Sequence, residues 1–435
     1  MPYKFETTGY RRPRDSRAGG NVVSVLPERF LSVDALRGFD MFWIVGAGYL
    51  VTALDRWTGN PILGAVKQQL THVSWEGFAF YDLIFPLFVF IVGVSAAFSL
   101  RKAVAQHGTL AAMKRVVLRG ALLFLVGLFY SGGFHGTPYA PPDGGTASAG
   151  DLFRHLLDNT RVLGVLNRIA LAYTATGLLF LLLPVRALWG VCAAILLGYW
   201  GLMARLPIRD IQLDKTSLAK LAEQTGETNA MKLYLATTDN VAGQFAPGLN
   251  LANHVDFRYL PGKLYDTYYD PEGLLSTLPA VATCLLGLFA GALLLREDIS
   301  PTGKTVVLLT AGFLLMGVGY VWGLSFPVVK KLWTSSFVLV AGGYSLMLLG
   351  VFHQVVDVWE KNTWCRPLVW IGSNALPIYL GAQILNYRKV AEHFVGGPVK
   401  GHLGGFGEVL LALTAIVVML GFARALYSRK IFLRL

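Results

Sequence analysis

The sequence predicts an all-α polytopic membrane protein, with about 10–11 transmembrane helices and a small extracytoplasmic cap segment. Three observations carry this. Only 15% of the residues are charged, against about 25% in soluble globular proteins. Hydrophobic residues make up 54% of the chain and the mean hydropathy is +0.51. The apolar runs are continuous and about 20 residues long, the length a helix needs to cross a bilayer, without the alternation of a membrane β-barrel.

Ten candidate spans follow in order: 36–54, 80–100, 116–132, 162–184, 187–204, 276–295, 304–324, 332–356, 367–386 and 405–423. The arginine-rich stretch before them (Arg11, Arg12, Arg14, Arg17) has no short apolar run with a small-residue cleavage site, so no cleaved signal peptide is expected. Placing the N-terminus in the cytoplasm puts 21 of the 38 Lys and Arg on that side. The other side then holds 17, of which 7 lie in the long 205–275 segment, which the positive-inside rule discounts. Both termini are therefore expected in the cytoplasm. The formal charge of +12 follows from this bias and calls for no nucleic-acid partner.

The chain divides into a basic cytoplasmic tail (1–30), an N-terminal membrane half (31–204), an extracytoplasmic segment (205–275) and a C-terminal membrane half (276–435). The 205–275 segment is too long for a bare connector and includes a helical-looking stretch at 215–235. Residues 133–161 read as a Gly- and Pro-rich loop (GTPYAPPDGG). Cys192, Cys284 and Cys365 lie in or beside apolar runs without metal or redox spacing, and read as packing residues. There is no P-loop, no G-x-S-x-G and no H-E-x-x-H, so no metal is expected.

The stretch His72–Gly93 (HVSWEGFAFYDLIFPLFVFIVG) runs from titratable chemistry straight into an apolar helix. Charge near hydrocarbon is costly and tends to be kept for function. His72 is the side chain type suited to proton transfer near neutral pH, and Asp82 or Glu76 could fix its tautomer. Trp75 stands beside them as a contact for substrate, and Pro86 should kink the helix and open room. A lone loop histidine is more often a solvated bystander; the accompanying groups lift this one above that.

Five further blocks carry polar residues at span ends. Arg37 follows Ser32 and Asp34, either of which could cap the first span, and it could meet an anionic ligand. Arg168 sits a few residues inside an apolar run and must snorkel or face a polar cavity. Asp270 and Glu272 either cap the span that follows or touch substrate. Lys330 and Lys331 oppose the positive-inside trend, which favours a bound anion, with Ser335 close by. Asn374 lies in a small-residue stretch that would also allow close helix packing.

Taken together, these blocks resemble the heparan-α-glucosaminide N-acetyltransferase family of transmembrane acyltransferases. The matching stretches are SVDALRGFDMFWIVG, HVSWEGFAFYDLIFPLFVFIVGVS, RVLGVLNRIALAY, YDPEGLLSTLPAVATCLLGLFAG, KKLWTSSFVLVAGGYSLMLLGVF and VWIGSNALPIYLG. They occur in the family's order across nearly all of residues 30–385. The resemblance implies a polytopic enzyme that carries the acetyl group of cytosolic acetyl-CoA to the amine of a terminal glucosamine-type sugar on the far side. It implies a catalytic role for His72, as general base or acetyl carrier, and a homodimer. Where the lysosomal member has an asparagine in span one, this sequence has Gly48, leaving Asp82 or Glu76 as the histidine's partner.

The reaction itself sets further expectations. A protonated amine is not a nucleophile, so a base must take its proton. The developing oxyanion needs a donor, for which Arg168, Asn374 and Ser335 are candidates. The phosphates of CoA call for Arg and Lys: Arg37, Arg115 and Arg119 for an inner site, or Lys330, Lys331 and Arg168 for an outer one. The alternatives are an O-acyltransferase of envelope polysaccharide and a sugar transporter. A bacterial inner membrane is the expected location, with membrane lipid and a glycan acceptor as partners.

Overall fold

In a computed structural model of the protein, residues 30–132 and 148–433 are described. The basic tail and most of the Gly- and Pro-rich loop lie outside them. Among the described residues, helices account for nearly all of the regular secondary structure. The exception is one antiparallel pair of two-residue strands, β1 (Ile208–Arg209) and β2 (Asn240–Val241). The chain is an integral membrane protein of all-α class.

All ten stretches expected to cross the membrane are helical. The first is split: α1 (Leu31–Phe42) passes through a π turn at Trp43–Ala47 into α2 (Gly48–Thr58). After Gly59 in the left-handed region, the Asn60 side chain caps α3 (Pro61–Gln69), with Pro61 in its first turn. Then α4 (Phe80–His107) runs 28 residues, longer than expected, and Pro86 lies inside it without ending it. It is followed by α5 (Thr109–Tyr130), α6 (Ala149–Asn159), α7 (Val165–Leu182) and α8 (Val185–Arg205).

The 205–275 segment holds the strand pair and α9 (Lys215–Thr225), α10 (Ala230–Ala236) and α11 (Leu251–Tyr259). The side chains of Asp214, Asn229 and Asn250 cap these helices. Ile211, Leu213, Leu218, Leu233 and Tyr234 give the segment a small core of its own. The stretch expected to be helical at 215–235 is thus two short helices, broken at Gly226.

The second half contains α12 (Thr277–Leu294), α13 (Pro301–Gly323) and α14 (Ser335–Phe352), the last continuing through a π turn at His353–Val358. Next come α15 (Arg366–Ser373) and α16 (Ala375–Ile384), separated at Asn374, then α17 (Tyr387–Val395), α18 (Pro398–His402) and α19 (Gly405–Ser428). Among the described residues, seven helices are long and apolar enough to cross a membrane: α4, α7, α8, α12, α13, α14 with its π turn, and α19. The other three expected spans fall short for visible reasons. Span one is divided by a π turn, α5 carries Lys114, Arg115 and Arg119, and span nine breaks at Asn374.

Helices α4, α12 and α14 form the buried centre, whereas α13 and α19 turn most of their surface outward. Exposed Phe313, Leu314 and Val321 on α13 suit a hydrocarbon surrounding. The centre is tight enough to need glycine. A Cβ on Gly287 of α12 would lie 1.9 Å from the Phe90 carbonyl oxygen of α4, and one on Gly93 would lie 1.9 Å from that of Cys284. Small residues at such crossings let backbones meet, the packing that membrane helices rely on.

Candidate active site

Asp82, in the first turn of α4, organises the histidine loop. One carboxylate oxygen accepts from the backbone N–H of Ala79 (3.2 Å) and of Val73 (3.3 Å). The other lies 2.7 Å from Nδ1 of His72. Asp82 is fully buried while His72 is half exposed. A buried carboxylate held by two amides accepts the imidazole's Nδ1–H, which leaves Nε2 as the basic nitrogen. The Tyr81 ring packs on His72 at 4.7 Å between centroids. Among the sequence's two choices, Asp82 is the one that touches the histidine. Glu76 is exposed and contributes through its backbone, bridging to Val329.

That bridge, with the Gly77 N–H donating to the Val328 carbonyl (2.9 Å), docks the α13–α14 loop on the histidine loop. The loop closes through Trp333 N–H to the Lys330 carbonyl (2.9 Å), with Trp333 at φ 51. A bulky residue in the left-handed region is a strained position that the surroundings must hold. Trp333 is fully buried, and its indole N–H donates to Thr283 at 3.0 Å. The turn delivers Lys330 to the pair: its Nζ is 3.1 Å from His72 Nδ1 and 3.5 Å from Asp82. Burial pushes the Lys330 ammonium below the usual lysine range, with Asp82 opposing.

Arg161, which sequence reasoning passed over, gathers the acidic residues before α12. Its guanidinium donates to both oxygens of Asp270 (2.7 and 2.5 Å) and also to Glu272. Asp270 and Glu272 raise the arginine against the opposing effect of burial. Asp256 of α11 lies behind them, accepting from Leu274 N–H at 2.8 Å, and burial pushes its carboxyl up to about 7. A basic residue facing two carboxylates across more than a hundred positions leaves no local pattern to read.

A cavity of about 1150 Å³ opens at His72, Tyr81, Lys330 and Glu272. It follows one face of α4 through Ile84, Phe88, Val92, Ser95, Ser99, Lys102 and Gln106. At a rise of about 1.5 Å per residue, the span from residue 81 to 106 is roughly 37 Å, comparable to a bilayer. Arg37 lies on the wall partway along, donating to Asp34 (3.0 Å), Ser95 (2.6 Å) and the Gly372 carbonyl (3.2 Å). Arg115 and Arg119 of α5 join Lys102 at the far end.

The other residues singled out in the sequence sit off this wall. Arg168 is fully buried behind Trp333, 4.9 Å from its ring, and donates to Ser276 at 2.5 Å. Ser335 donates to the Leu196 carbonyl at 2.7 Å. Asn374 is buried at the break between α15 and α16, while Ser373 and Ala375 on either side line the cavity. Lys331 pairs with Asp266 at 2.7 Å. Trp75 donates its indole N–H to the Phe245 carbonyl at 2.8 Å, fastening the 205–275 segment over the histidine loop. A Cβ on Gly48 would meet nothing within 4 Å. Among the described residues, no group of three or more His, Cys, Asp or Glu could hold a metal ion.

Fold and site define a polytopic α-helical membrane protein with a histidine–carboxylate pair at the head of a membrane-deep cavity. No family model matches the chain. It is distantly related to the heparan-alpha-glucosaminide N-acetyltransferase of Homo sapiens, at 25% identity over 449 aligned positions, covering 94% of this chain and 60% of that protein. The protein of the same name from Mus musculus is 26% identical over 397 positions, covering 83% of this chain and 56% of its own. The chain thus spans a little over half the length of the curated relatives it matches.

Proposed function

We propose that this protein moves the acetyl group of acetyl-CoA to the amine of a terminal glucosamine-type sugar on the opposite side of the membrane. The observation that carries the reading is the cavity along α4, with a base at one end and cations at the other. Acetyl-CoA is long and thin, with its phosphate charges at the nucleotide end. Lys102, Arg115 and Arg119 complement those charges where they stand, with Arg37 further along. The pantetheine arm then lies along the apolar wall of Ile84, Phe88 and Val92 and brings the thioester to His72. Arg168 and Lys331, engaged elsewhere, take no part in holding the donor.

His72 Nε2 removes the proton of the sugar amine as it attacks, or attacks the thioester itself and passes the acetyl group on. Asp82 keeps the imidazole in the tautomer with Nε2 free and stabilises the imidazolium once formed. Glu272, held by Arg161 at the same mouth of the cavity, offers a carboxylate to the acceptor before its amine loses the proton. Trp75 and Asp270 stand off the cavity wall and brace the site rather than contacting the sugar, Trp75 by its bond to the Phe245 carbonyl and Asp270 by its bonds to Arg161. With both termini cytoplasmic, the cationic end faces the compartment that makes acetyl-CoA and His72 faces outward. A homodimer in a bacterial inner membrane is the assembly and location that accompany this reading.

The same base and cavity would also serve a hydroxyl acceptor, and a membrane-deep cavity suits transport as well. Free CoA release from acetyl-CoA, with and without glucosamine, separates the three for wild type and His72→Ala. Sugar-stimulated release that His72→Ala abolishes is expected. Turnover of an N-blocked glucosamine would move the reading to O-acylation. No stimulated release from folded wild type would defeat the enzyme reading.

A further inference from the structure

Acetyl transfer creates negative charge twice, on the carbonyl oxygen and then on the departing sulfur. Arg168, Ser335 and Asn374, the donors apparent in the sequence, do not line the cavity. We propose that Lys330 is a catalytic residue that stabilises both charges. The proposal rests on the acetyl-transfer reading for its chemistry.

Lys330 shares the cavity mouth with His72, Tyr81 and Glu272, whereas Arg37, Lys102, Arg115 and Arg119 line it further along. Its Nζ is 3.1 Å from Nδ1 and 3.4 Å from Nε2 of His72, and 3.5 Å from Asp82. Nδ1 cannot both donate to Asp82 and accept from an ammonium, and the Asp82 contact is the shorter. The ammonium therefore stands within reach of Asp82 and of Nε2, with a further proton left for the cavity.

The placement is built rather than incidental. The Glu76–Val329 bridge and the bond from Gly77 N–H to the Val328 carbonyl fix the loop on one side. On the other, the strained turn at buried Trp333 fixes it, with the Thr334 hydroxyl accepting from Val329 N–H at 3.1 Å. Lysine side chains on loops are normally free to wander; this one has its backbone locked at both ends and its ammonium partly buried.

The step balances as follows. The amine nitrogen attacks the thioester carbon, a C–N bond forms, and the carbonyl π pair moves onto oxygen, where Lys330 N–H donates to it. His72 Nε2 takes the amine proton. When the oxygen pair re-forms the carbonyl, the C–S bond breaks beside the same ammonium. Sulfur then receives the proton from Nε2 and leaves as the thiol. Lys330 ends with every proton it started with. The products are an amide and free CoA, and no oxidant or reductant enters.

The test is acetyl transfer by the full chain in nanodiscs for wild type, Lys330→Met and Lys330→Arg, with thermal unfolding of each. Lys330→Met should lower kcat by about 10²–10³-fold, as loss of an oxyanion donor does, and Lys330→Arg, which keeps the cation, should retain most of the rate. The KM for acetyl-CoA should stay within about threefold, because the nucleotide end is held elsewhere. Lys330→Met with near wild-type kcat, or a loss of kcat that Lys330→Arg shares in full, overturns the proposal. If folded wild type transfers no acetyl group, the acetyl-transfer reading fails; transfer by wild type that Lys330→Met leaves unchanged sinks the Lys330 proposal alone.

Discussion

Replacing Asp82 with asparagine separates the carboxylate's two jobs. In the native site one oxygen accepts from two backbone amides and the other from His72. Asparagine keeps an oxygen for the amides, so the start of α4 and the 70–79 loop should persist, at a stability cost of about 1 kcal/mol or less. Its amide nitrogen then faces Nδ1 of His72 as a donor. The imidazole must answer by accepting at Nδ1, which puts the proton on Nε2 and removes the base from the cavity. General-base catalysis is typically worth about 10²–10⁴-fold, so Asp82→Asn should lower kcat/KM by that amount with little change in melting temperature. Asp82→Ala strands two amides as well and should add roughly 2–6 kcal/mol of destabilisation, at about 1–3 kcal/mol for each. The assays are CoA release and thermal unfolding in detergent. An Asp82→Asn variant within threefold of wild type would refute the tautomer argument and leave the carboxylate only its bonds to the two amides and its pairing with Lys330.

Two further substitutions probe the frame around the site. Asp256 has its carboxyl raised to about 7 by burial, above its value in the unfolded chain of about 3.9, so the folded form holds the extra proton between those values. That contribution to stability is full below about pH 4 and is lost as pH rises through about 7. Asp256→Asn should therefore flatten the melting temperature against pH across this window and gain on wild type above it. Gly287→Val should force α12 away from the Phe90 carbonyl and cost about 1–3 kcal/mol, as overpacking does; an unchanged melting temperature would contradict the backbone contact.

How far the sequence reached depends on which interactions are local. The ten helical stretches were legible because hydrocarbon demands long apolar runs, and Asp82 was legible because it lies one loop from His72 and at a helix start. The π turns at Trp43–Ala47 and His353–Val358 were not, since no local pattern marks them; the second carries Asp357, which accepts from the Ser32 backbone N–H across the bundle at 3.2 Å. Lys330 could be marked as an anomalous cation but not placed beside His72, which lies 258 positions away. Arg168 read as a snorkelling or ligand-binding arginine; its burial beneath Trp333 depends on a turn that sequence periodicity does not encode. The cavity itself was hidden, because the α4 residues that line it have the same spacing as a packing face.

The central claim is that one cavity carries an acetyl group from one side of the membrane to the other. Proteoliposomes with a single protein orientation, glucosamine sealed inside and acetyl-CoA added outside, test it directly. With the cationic end of the cavity outward, N-acetylglucosamine should accumulate in the lumen while CoA appears outside, and His72→Ala should stop both. Acetylation only when donor and acceptor share a compartment would contradict the account.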